Sequence, residues 1–380
     1  MTAKKPRLRF IDIGRSIAII LMLQGHFISL TFEDYREQLT LLRQTGTSGN
    51  IFFDWWCHLR GFTAPLFFTI TGVVFVYLLL GNQDEKYFKQ IRVRKGFKRA
   101  ISIIVWGYAL QLNFKNISYY LSGNINDRFF AFHVLQSIGF GILILLLLYG
   151  FYRIINKRIQ FSWILLVLGF AVFLIQPLIN SYGNTHIPAK APMFIQNLIH
   201  GPNSIFPLTP WVGFVFFGGA LGAIIREKSD QLKQKWFPVK FAALGLIVWG
   251  MGTLILYIFS HLGFDMHFMS VVYLFHQVME VTLLIAVLMY VERLFKQRDT
   301  MFMRMGQNTL IIYILHVILL YGAIIGIGIR TYIQKSLTFG EAIFGAVVFI
   351  FLFALFTKPL PWLINKYNGM KDWLFRRNAL

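Results

Sequence analysis

Charged side chains are scarce in this sequence. Only 14% of its 380 residues are Asp, Glu, Lys or Arg, whereas 56% are hydrophobic and the mean hydropathy is +0.59. A soluble chain of this length needs far more polar surface to cover its core. Alternating segments of about ten residues, typical of transmembrane β-barrels, are also absent. The composition therefore indicates an all-α polytopic integral membrane protein, because helices satisfy their own backbone hydrogen bonds in lipid.

Cysteine and the common catalytic motifs are lacking too. Cys57 is the only cysteine, so no intramolecular disulfide can form, and redox chemistry is disfavoured. The nine histidines lack the carboxylate or cysteine spacing of a zinc site, so we expect no metal. The sequence contains no Walker A motif, no G-x-S-x-G elbow and no H-E-x-x-H pair. These absences exclude the usual signatures of nucleotide hydrolysis, serine hydrolysis and metalloproteolysis.

Long apolar runs recur along the whole chain, each long enough to cross a hydrocarbon core about 30 Å thick. Hydropathy predicts about ten spans in one membrane-embedded domain, residues 1–380. The predicted spans are 10–31, 61–81, 98–114, 130–151, 161–180, 207–226, 238–260, 268–292, 307–326 and 340–364.

Acidic residues number 16 against 37 basic ones, and the basic excess is unevenly placed. With the N-terminus inside, the cytoplasmic segments hold 28 Lys and Arg, the outer loops hold 8, and Arg15 lies within a span. This asymmetry follows the positive-inside rule and predicts that both termini are cytoplasmic. The charge is therefore explained by topology and by attraction to anionic lipid, not by nucleic acid, and we expect a bacterial inner (plasma) membrane protein.

The first predicted span contains "RSIAIILMLQGH" (15–26), with an ionisable group at each end. Eleven residues make almost three helical turns, so Arg15 and His26 share one face, about 16 Å apart along the axis. Asp12 precedes Arg15 by three residues, which permits a local ion pair. Arg15 as an anchor and His26 as an interhelical hydrogen-bonding group are the structural alternatives. Because ionisable groups in a membrane are costly, two on one face favour a function.

Several segments resemble a known superfamily. "RLRFIDIGRSIAIILMLQGHFISL" resembles the first helix of the integral-membrane acyltransferases. The ten residues between Arg15 and His26 are similar to the type-3 acyltransferase signature. "IDIGRSIAIILM" is similar to the opening of the heparan-alpha-glucosaminide N-acetyltransferase catalytic-domain family, with Ser16 where glycine is usual. Similar matches follow in order: "GFTAPLFFTITGVVFV" (61–76), "HVLQSIGFGILIL" (133–145), "FPLTPWVGFVFFGGALG" (206–222) and "GQNTLIIYILH" (306–316).

The resemblance implies a membrane acyltransferase that moves an acetyl group from cytoplasmic acetyl-CoA to an amino sugar or a glycan hydroxyl on the extracytoplasmic side. Its partners are then coenzyme A, a carbohydrate acceptor and the lipid bilayer. His26, in the outer half, would be the general base, and Arg15, in the inner half, would contact the donor. Asn308 or Gln136 would donate to the developing oxyanion. Direct transfer and an acetyl-histidine route both stay open, as does a monomer or a homodimer.

Two further groups of side chains are candidates for binding. The densest cytoplasmic cluster would attract the donor's phosphates and comprises Arg92, Arg94, Lys95, Lys98 and Arg99. Expected substrate contacts are Asp12 and groups mostly in the outer half, namely Arg60, His133, Gln136, Trp211, His276, Glu280 and His316. Their structural alternatives are a flanking charge for Arg60, a helix cap for His133 and Gln136, and an intramembrane ion pair for His276 and Glu280. Trp55, Trp56 and Trp211 could stack on a pyranose ring.

Two other functions compete with the acyltransferase. A proton-coupled secondary transporter of a sugar or organic anion would use the same buried Arg, His and Glu, but the sequence shows no clear internal repeat. A non-catalytic glycan-binding protein would explain the outer aromatic residues and leave Arg15 unexplained.

Overall fold

The computed structural model describes residues 8–81, 85–116, 118, 122–123, 127–155, 158–186, 192–199, 203–263, 268–294, 300–362 and 366. Within these residues the fold is helical and has no strand. The helices are α1 (Arg9–Thr31), α2 (Tyr35–Thr45), α3 (Ile51–Leu79), α4 (Ile91–Ala109), α5 (Val134–Ile154), α6 (Phe161–His186), α7 (Met193–Ile199), α8 (Leu208–Glu227), α9 (Phe237–His261), α10 (Phe268–Leu294), α11 (Met301–Gln307), α12 (Thr309–Tyr321), α13 (Arg330–Ile333) and α14 (Phe339–Phe356).

Eight of the described helices are long and apolar enough to cross a membrane: α1, α3, α5, α6, α8, α9, α10 and α14. They coincide with eight of the ten predicted spans, which confirms the membrane class and the all-α fold for the described residues. The cytoplasmic placement of the termini stays a prediction, and the end of the last predicted span, 363–364, lies outside the described residues.

The other two predicted spans differ from the structure. The segment predicted as 98–114 forms α4, which begins earlier, at Ile91, and carries five basic side chains in its first three turns. The segment predicted as one span over 307–326 is a pair of helices, α11 and α12, bent by 88° at Asn308. At 1.5 Å per residue, the 13 residues of α12 extend only about 20 Å, too short to cross the hydrocarbon core. The described residues therefore contain eight such helices, or nine with the bent pair, instead of ten.

The chain divides into two compact units. The first contains residues 1–60, 295–322 and 327–380. Within it α1 is central, packing against α11, α12 and α14. At the end of α1 the backbone N–H groups of Lys335, Ser336 and Leu337 donate to the carbonyls of Leu30 and Thr31. The last turn of α1 is thus capped by the segment that precedes α14.

The second unit contains residues 61–294 and 323–326. Its main helix pairs are α4 with α5, α6 with α8, and α9 with α10. Where α3 meets α8, the backbones touch: a Cβ added to Gly218 would lie 2.0 Å from the Thr69 carbonyl oxygen. Such close approach is typical of membrane helices, whose association relies on tight packing of small residues.

Candidate active site

The inner polar group of α1 is an ion pair. Arg15 Nη1 lies 3.7 Å from Asp12 Oδ1, with the Asp12 side chain only 6% exposed and that of Arg15 21% exposed. The i, i+3 spacing read from the sequence therefore does form the local pair. Arg15 still presents part of its guanidinium to the surroundings.

Next to this pair, the short helix α11 docks on α1 through Ser16. The Ser16 hydroxyl donates to the Phe302 carbonyl at 2.6 Å, and the Gly306 N–H donates to Ser16 Oγ at 3.1 Å. Asn308, at the bend, donates from Nδ2 to the Arg304 carbonyl at 2.9 Å. This bond satisfies a carbonyl at the end of α11. Asn308 precedes His316 by eight residues, which corresponds to about 12 Å of helix. Its role as an oxyanion donor stays a prediction.

At the other end of the shared face, His26 meets two side chains of α12. His26 Nδ1 lies 2.7 Å from the hydroxyl oxygen of Tyr321. The ring of His316 packs against His26, with a centroid separation of 5.2 Å and an interplanar angle of 52°. The two histidines therefore form one cluster, which the sequence spacing did not indicate.

His316 is fully buried. Its Nδ1 lies 3.3 Å from the carbonyl of Ile312, one turn earlier, and Tyr313 packs edge-on against its ring at 5.0 Å. A carbonyl can only accept, so Nδ1 carries the proton and Nε2 carries the lone pair. Among the described residues, His316 Nε2 has no hydrogen-bond partner. A buried acceptor of this kind is normally satisfied, which points to a polar ligand beside His26.

Arg60 lies across the residue that precedes His26. A Cβ on Gly25 would be 3.3 Å from Arg60 Cγ, so the arginine stem crosses α1 at that glycine. The guanidinium lies 5.5 Å from the centroid of Tyr35 and 6.0 Å from that of Trp56. The helix that carries Arg60, α3, begins nine residues earlier, at Ile51, and the position of Arg60 at the outer mouth of the membrane span stays a prediction. Charged and polar residues lower the local hydropathy without interrupting the helix.

Lys335 faces the same tyrosine. Its Nζ donates to the carbonyls of Ser29 and Phe32 at 3.0 and 3.1 Å and lies 4.3 Å from the Tyr35 ring centroid. Burial, together with the positive charges of Arg36 and Arg60, lowers the pKa of Lys335 to about 8. The outer end of α1 in the predicted topology therefore carries two cations around one aromatic ring.

In the second unit, His133 and Gln136 form a helix cap. The backbone N–H of His133 donates to Gln136 Oε1 at 3.3 Å, at the start of α5. Gln136 is fully buried, and within the described part of the chain its Nε2 has no partner. The structural alternative for this pair is thus present, and their contact with substrate stays a prediction.

Trp211 belongs to an aromatic cluster in this unit, with ring centroids 4.7 Å from Phe206 and 5.4 Å from Phe68. It is half-buried, and its stacking on a sugar stays a prediction. His276 Nδ1 and Glu280 Oε1 lie 3.7 Å apart on α10, so the i, i+4 pair is formed.

The basic cluster of α4 lies on one side of the helix. Val93, Gly96 and Ala100 are buried at helical spacing, whereas the five basic side chains are exposed. This exposed face comprises Arg92, Arg94, Lys95, Lys98 and Arg99. An exposed cationic face suits polyanion binding, and the role of these residues toward the donor stays a prediction.

Three residues around His26 and Arg60 were missed by sequence reasoning: Tyr35, Tyr321 and Lys335. Tyr321 follows His316 by five residues, a spacing with no helical signature, and is one of 16 tyrosines. The sequence indicates Lys335 only as one of the outer-loop charges. No pattern in the sequence places these residues beside α1.

The long apolar helices define a polytopic membrane protein. Its helix α1 carries the Asp12–Arg15 ion pair near one end and the paired histidines near the other. The sequence matches the family described as heparan-alpha-glucosaminide N-acetyltransferase, catalytic, over residues 7–262. This match covers most of the chain, so the chain belongs to that family. The protein is accordingly a membrane acetyltransferase of the class that acts on glucosamine-type substrates. The chain matches no curated protein.

Proposed function

We propose that this protein transfers an acetyl group from cytoplasmic acetyl-CoA to the amine of a glucosamine-type sugar on the extracytoplasmic side. His26 is the general base. The observation that carries the proposal is the cluster of His26, His316, Tyr321 and Arg60, which lies about 16 Å along α1 from Arg15.

The donor side is assigned by charge. Acetyl-CoA carries phosphates, and the exposed basic face of α4 has the complementary sign. Arg15, whose side chain is 21% exposed, carries a positive charge in the predicted inner half of α1. The Asp12 carboxylate pairs with Arg15 at 3.7 Å and so favours orientations of the guanidinium that keep this contact. Asp12 acts through Arg15 in this scheme.

The acceptor side is assigned to the His26 cluster. A glucosamine amine must be uncharged to attack a carbonyl. The positive guanidinium of Arg60, across Gly25 from His26, disfavours the ammonium form of an amine bound there. Arg60 also offers donors to the sugar hydroxyls, and the buried Nε2 of His316 offers an acceptor.

Acetyl-CoA supplies a thioester carbonyl activated toward nucleophiles. As the amine attacks it, the C–N bond forms and His26 takes the amine proton. The C–S bond then breaks, and His26 returns the proton to the departing thiolate. Direct transfer of this kind needs one base and no acetyl-enzyme.

The first test separates the two ends of α1 in purified protein. His26→Ala should lower kcat for acetyl transfer to glucosamine by about 10²-fold to 10⁴-fold, because it removes the base. Arg15→Ala should chiefly raise KM for acetyl-CoA. His261 in α9 is exposed, and its Nδ1 and its ring contact the carbonyl and the ring of Tyr257. It provides the control His261→Ala, with turnover within two-fold of wild type.

Folding of each variant is checked by its thermal unfolding midpoint. Turnover like wild type in His26→Ala would reject the mechanism. Family membership favours the enzyme over the transporter, and sugar counterflow in vesicles without acetyl-CoA would reverse that preference.

A further inference from the structure

Tyr321 makes the shortest contact to the candidate base. Its hydroxyl oxygen lies 2.7 Å from His26 Nδ1, and its ring meets the imidazole edge-on at a centroid distance of 5.8 Å. The hydrogen bond uses Nδ1, so it does not occupy the other ring nitrogen, Nε2.

The position of Tyr321 is set by the backbone. It is the last residue of α12, and Gly322 follows in the left-handed conformation with φ 71°. A Cβ on Gly322 would lie 2.8 Å from backbone atoms of Ile327, so the chain turns back tightly at this point. The Ile329 N–H donates to the Leu319 carbonyl at 2.8 Å and closes the turn. Tyr321 is therefore held at a capped helix end and is not on a loose loop.

The proposed role of His26 as base sets the direction of the bond, since the 2.7 Å contact fits either tautomer. A neutral imidazole accepts a proton at Nε2 only when its own proton is on Nδ1. The nearest group able to accept from Nδ1–H is the Tyr321 oxygen. After Nε2 has taken the amine proton, Nδ1–H still donates to that oxygen, now from a charged ring. Hydrogen bonds from charged donors are stronger than neutral ones, so this contact stabilises the imidazolium more than the imidazole.

We propose that Tyr321 is a positioning residue whose hydroxyl oxygen accepts from Nδ1–H of His26 and so presents the Nε2 lone pair to the acceptor. The proposal rests on the proposed function of His26. In the reaction, the acceptor proton moves to Nε2 as the C–N bond forms, and it leaves with the thiolate when the C–S bond breaks. The Nδ1 proton stays in its bond to Tyr321 throughout.

The kinetic test uses Tyr321→Phe, which keeps the ring and removes the oxygen. We expect kcat with acetyl-CoA and glucosamine to fall about 10-fold to 100-fold, the range for loss of a hydrogen bond to a charged group. KM for both substrates should stay within two-fold. The acid limb of the kcat/KM profile should move to lower pH, because the unpaired imidazolium forms less readily. Tyr332→Phe is the control, since the Tyr332 side chain is 76% exposed, and it should match wild type.

A spectroscopic test needs no variant to be active. In wild-type protein labelled with ¹⁵N-histidine, the His26 signals are assigned by their loss in His26→Gln. They should report the tautomer with the proton on Nδ1. In Tyr321→Phe the same signals should show a mixture of tautomers.

The outcomes distinguish failure of the proposed role of Tyr321 from failure of the proposed function. Wild-type protein that acetylates glucosamine, with Tyr321→Phe unchanged in kcat and pH profile, would overturn the role of Tyr321 and leave the proposed function standing. A wild-type His26 with its proton on Nε2 would overturn it as well. Absence of acetyl transfer in wild type, with the Nδ1 tautomer observed, would reject the proposed function instead.

Discussion

Arg60 illustrates how far single residues could be interpreted before the structure. The sequence made it a candidate for substrate binding or an ordinary flanking charge, and neither assignment located its contacts. In the structure its stem crosses Gly25 and its guanidinium faces Tyr35 and Trp56. Tyr35 belongs to α2 and Trp56 to α3, so their meeting depends on helix packing. Hydropathy along one segment carries no such information.

Lys335 supports a prediction about pH. Its pKa is lowered from 10.5 to about 8, so between these values the unfolded chain holds a proton that the folded protein lacks. The free energy of unfolding contributed by this side chain therefore rises as pH increases from about 8 to 10.5, and the penalty is full below about 8. Lys335→Met removes the titrating group. The unfolding midpoint of wild type relative to Lys335→Met should increase between pH 7.5 and pH 10.

Thermal unfolding in detergent at both pH values gives this comparison, because the remaining groups titrate alike in the two proteins. A difference in midpoint that is the same at pH 7.5 and pH 10 would contradict the assignment. Lys335→Met also loses the hydrogen bonds from Nζ to the carbonyls of Ser29 and Phe32, and this loss affects its unfolding midpoint at both pH values.

The bent pair α11 and α12 is the helical feature that hydropathy misjudged. A window over 307–326 averages apolar residues from both sides of Asn308 and cannot detect an 88° bend. Gly306 of α11, two residues before the bend, donates to Ser16 beside Arg15, and Tyr321 at the end of α12 contacts His26. Irregular backbone at membrane depth is tolerated where it is buried in protein or lines a cavity. The break between α11 and α12 is thus found in the helix pair that packs against α1.

A substitution at Gly306 tests how closely α11 must approach α1. A Cβ there would lie 2.4 Å from the Asp12 carbonyl oxygen and 2.8 Å from the Ser16 nitrogen, both backbone atoms. We expect Gly306→Ala to lower the free energy of unfolding by about 1–3 kcal/mol, as overpacking does elsewhere. The fall in thermal unfolding midpoint measures this effect.

Gly250 in α9 provides the control, since a Cβ there meets no atom within 4 Å among the described residues. Gly250→Ala should be neutral or stabilising by about 0.5–1 kcal/mol, because alanine restricts the unfolded chain and favours helix. Equal unfolding midpoints for Gly306→Ala and Gly250→Ala would show that the close contact at Gly306 does not limit the size of this side chain.

The orientation of the chain across the membrane is testable because cysteine is so rare. Cys57→Ser yields a cysteine-free chain. Into it, Gln44→Cys places a thiol on exposed α2, and Ser229→Cys places one between α8 and α9, also exposed. With a cytoplasmic N-terminus, an impermeant maleimide added to intact cells should label residue 44. Residue 229 should react only after permeabilisation, and the reverse pattern would invert the topology.

The sequence by itself determined the membrane class, the positions of eight long apolar helices and the family, which the match over residues 7–262 confirms. It also determined that Arg15 and His26 share a face, because helical periodicity is a local property of the chain. The single domain, the cytoplasmic termini and the similarity to the type-3 signature stay predictions.

Tertiary packing decided what surrounds those two residues. Tyr321 lies 295 positions from His26 in sequence, and Lys335 lies 306 from Ser29. In lipid, apolar surface does not drive helices together, so packing depends on small residues and interhelical hydrogen bonds. A hydropathy pattern does not record which helices these join. The side chains around His26 therefore became visible only when α1, α2, α3 and α12 were folded together.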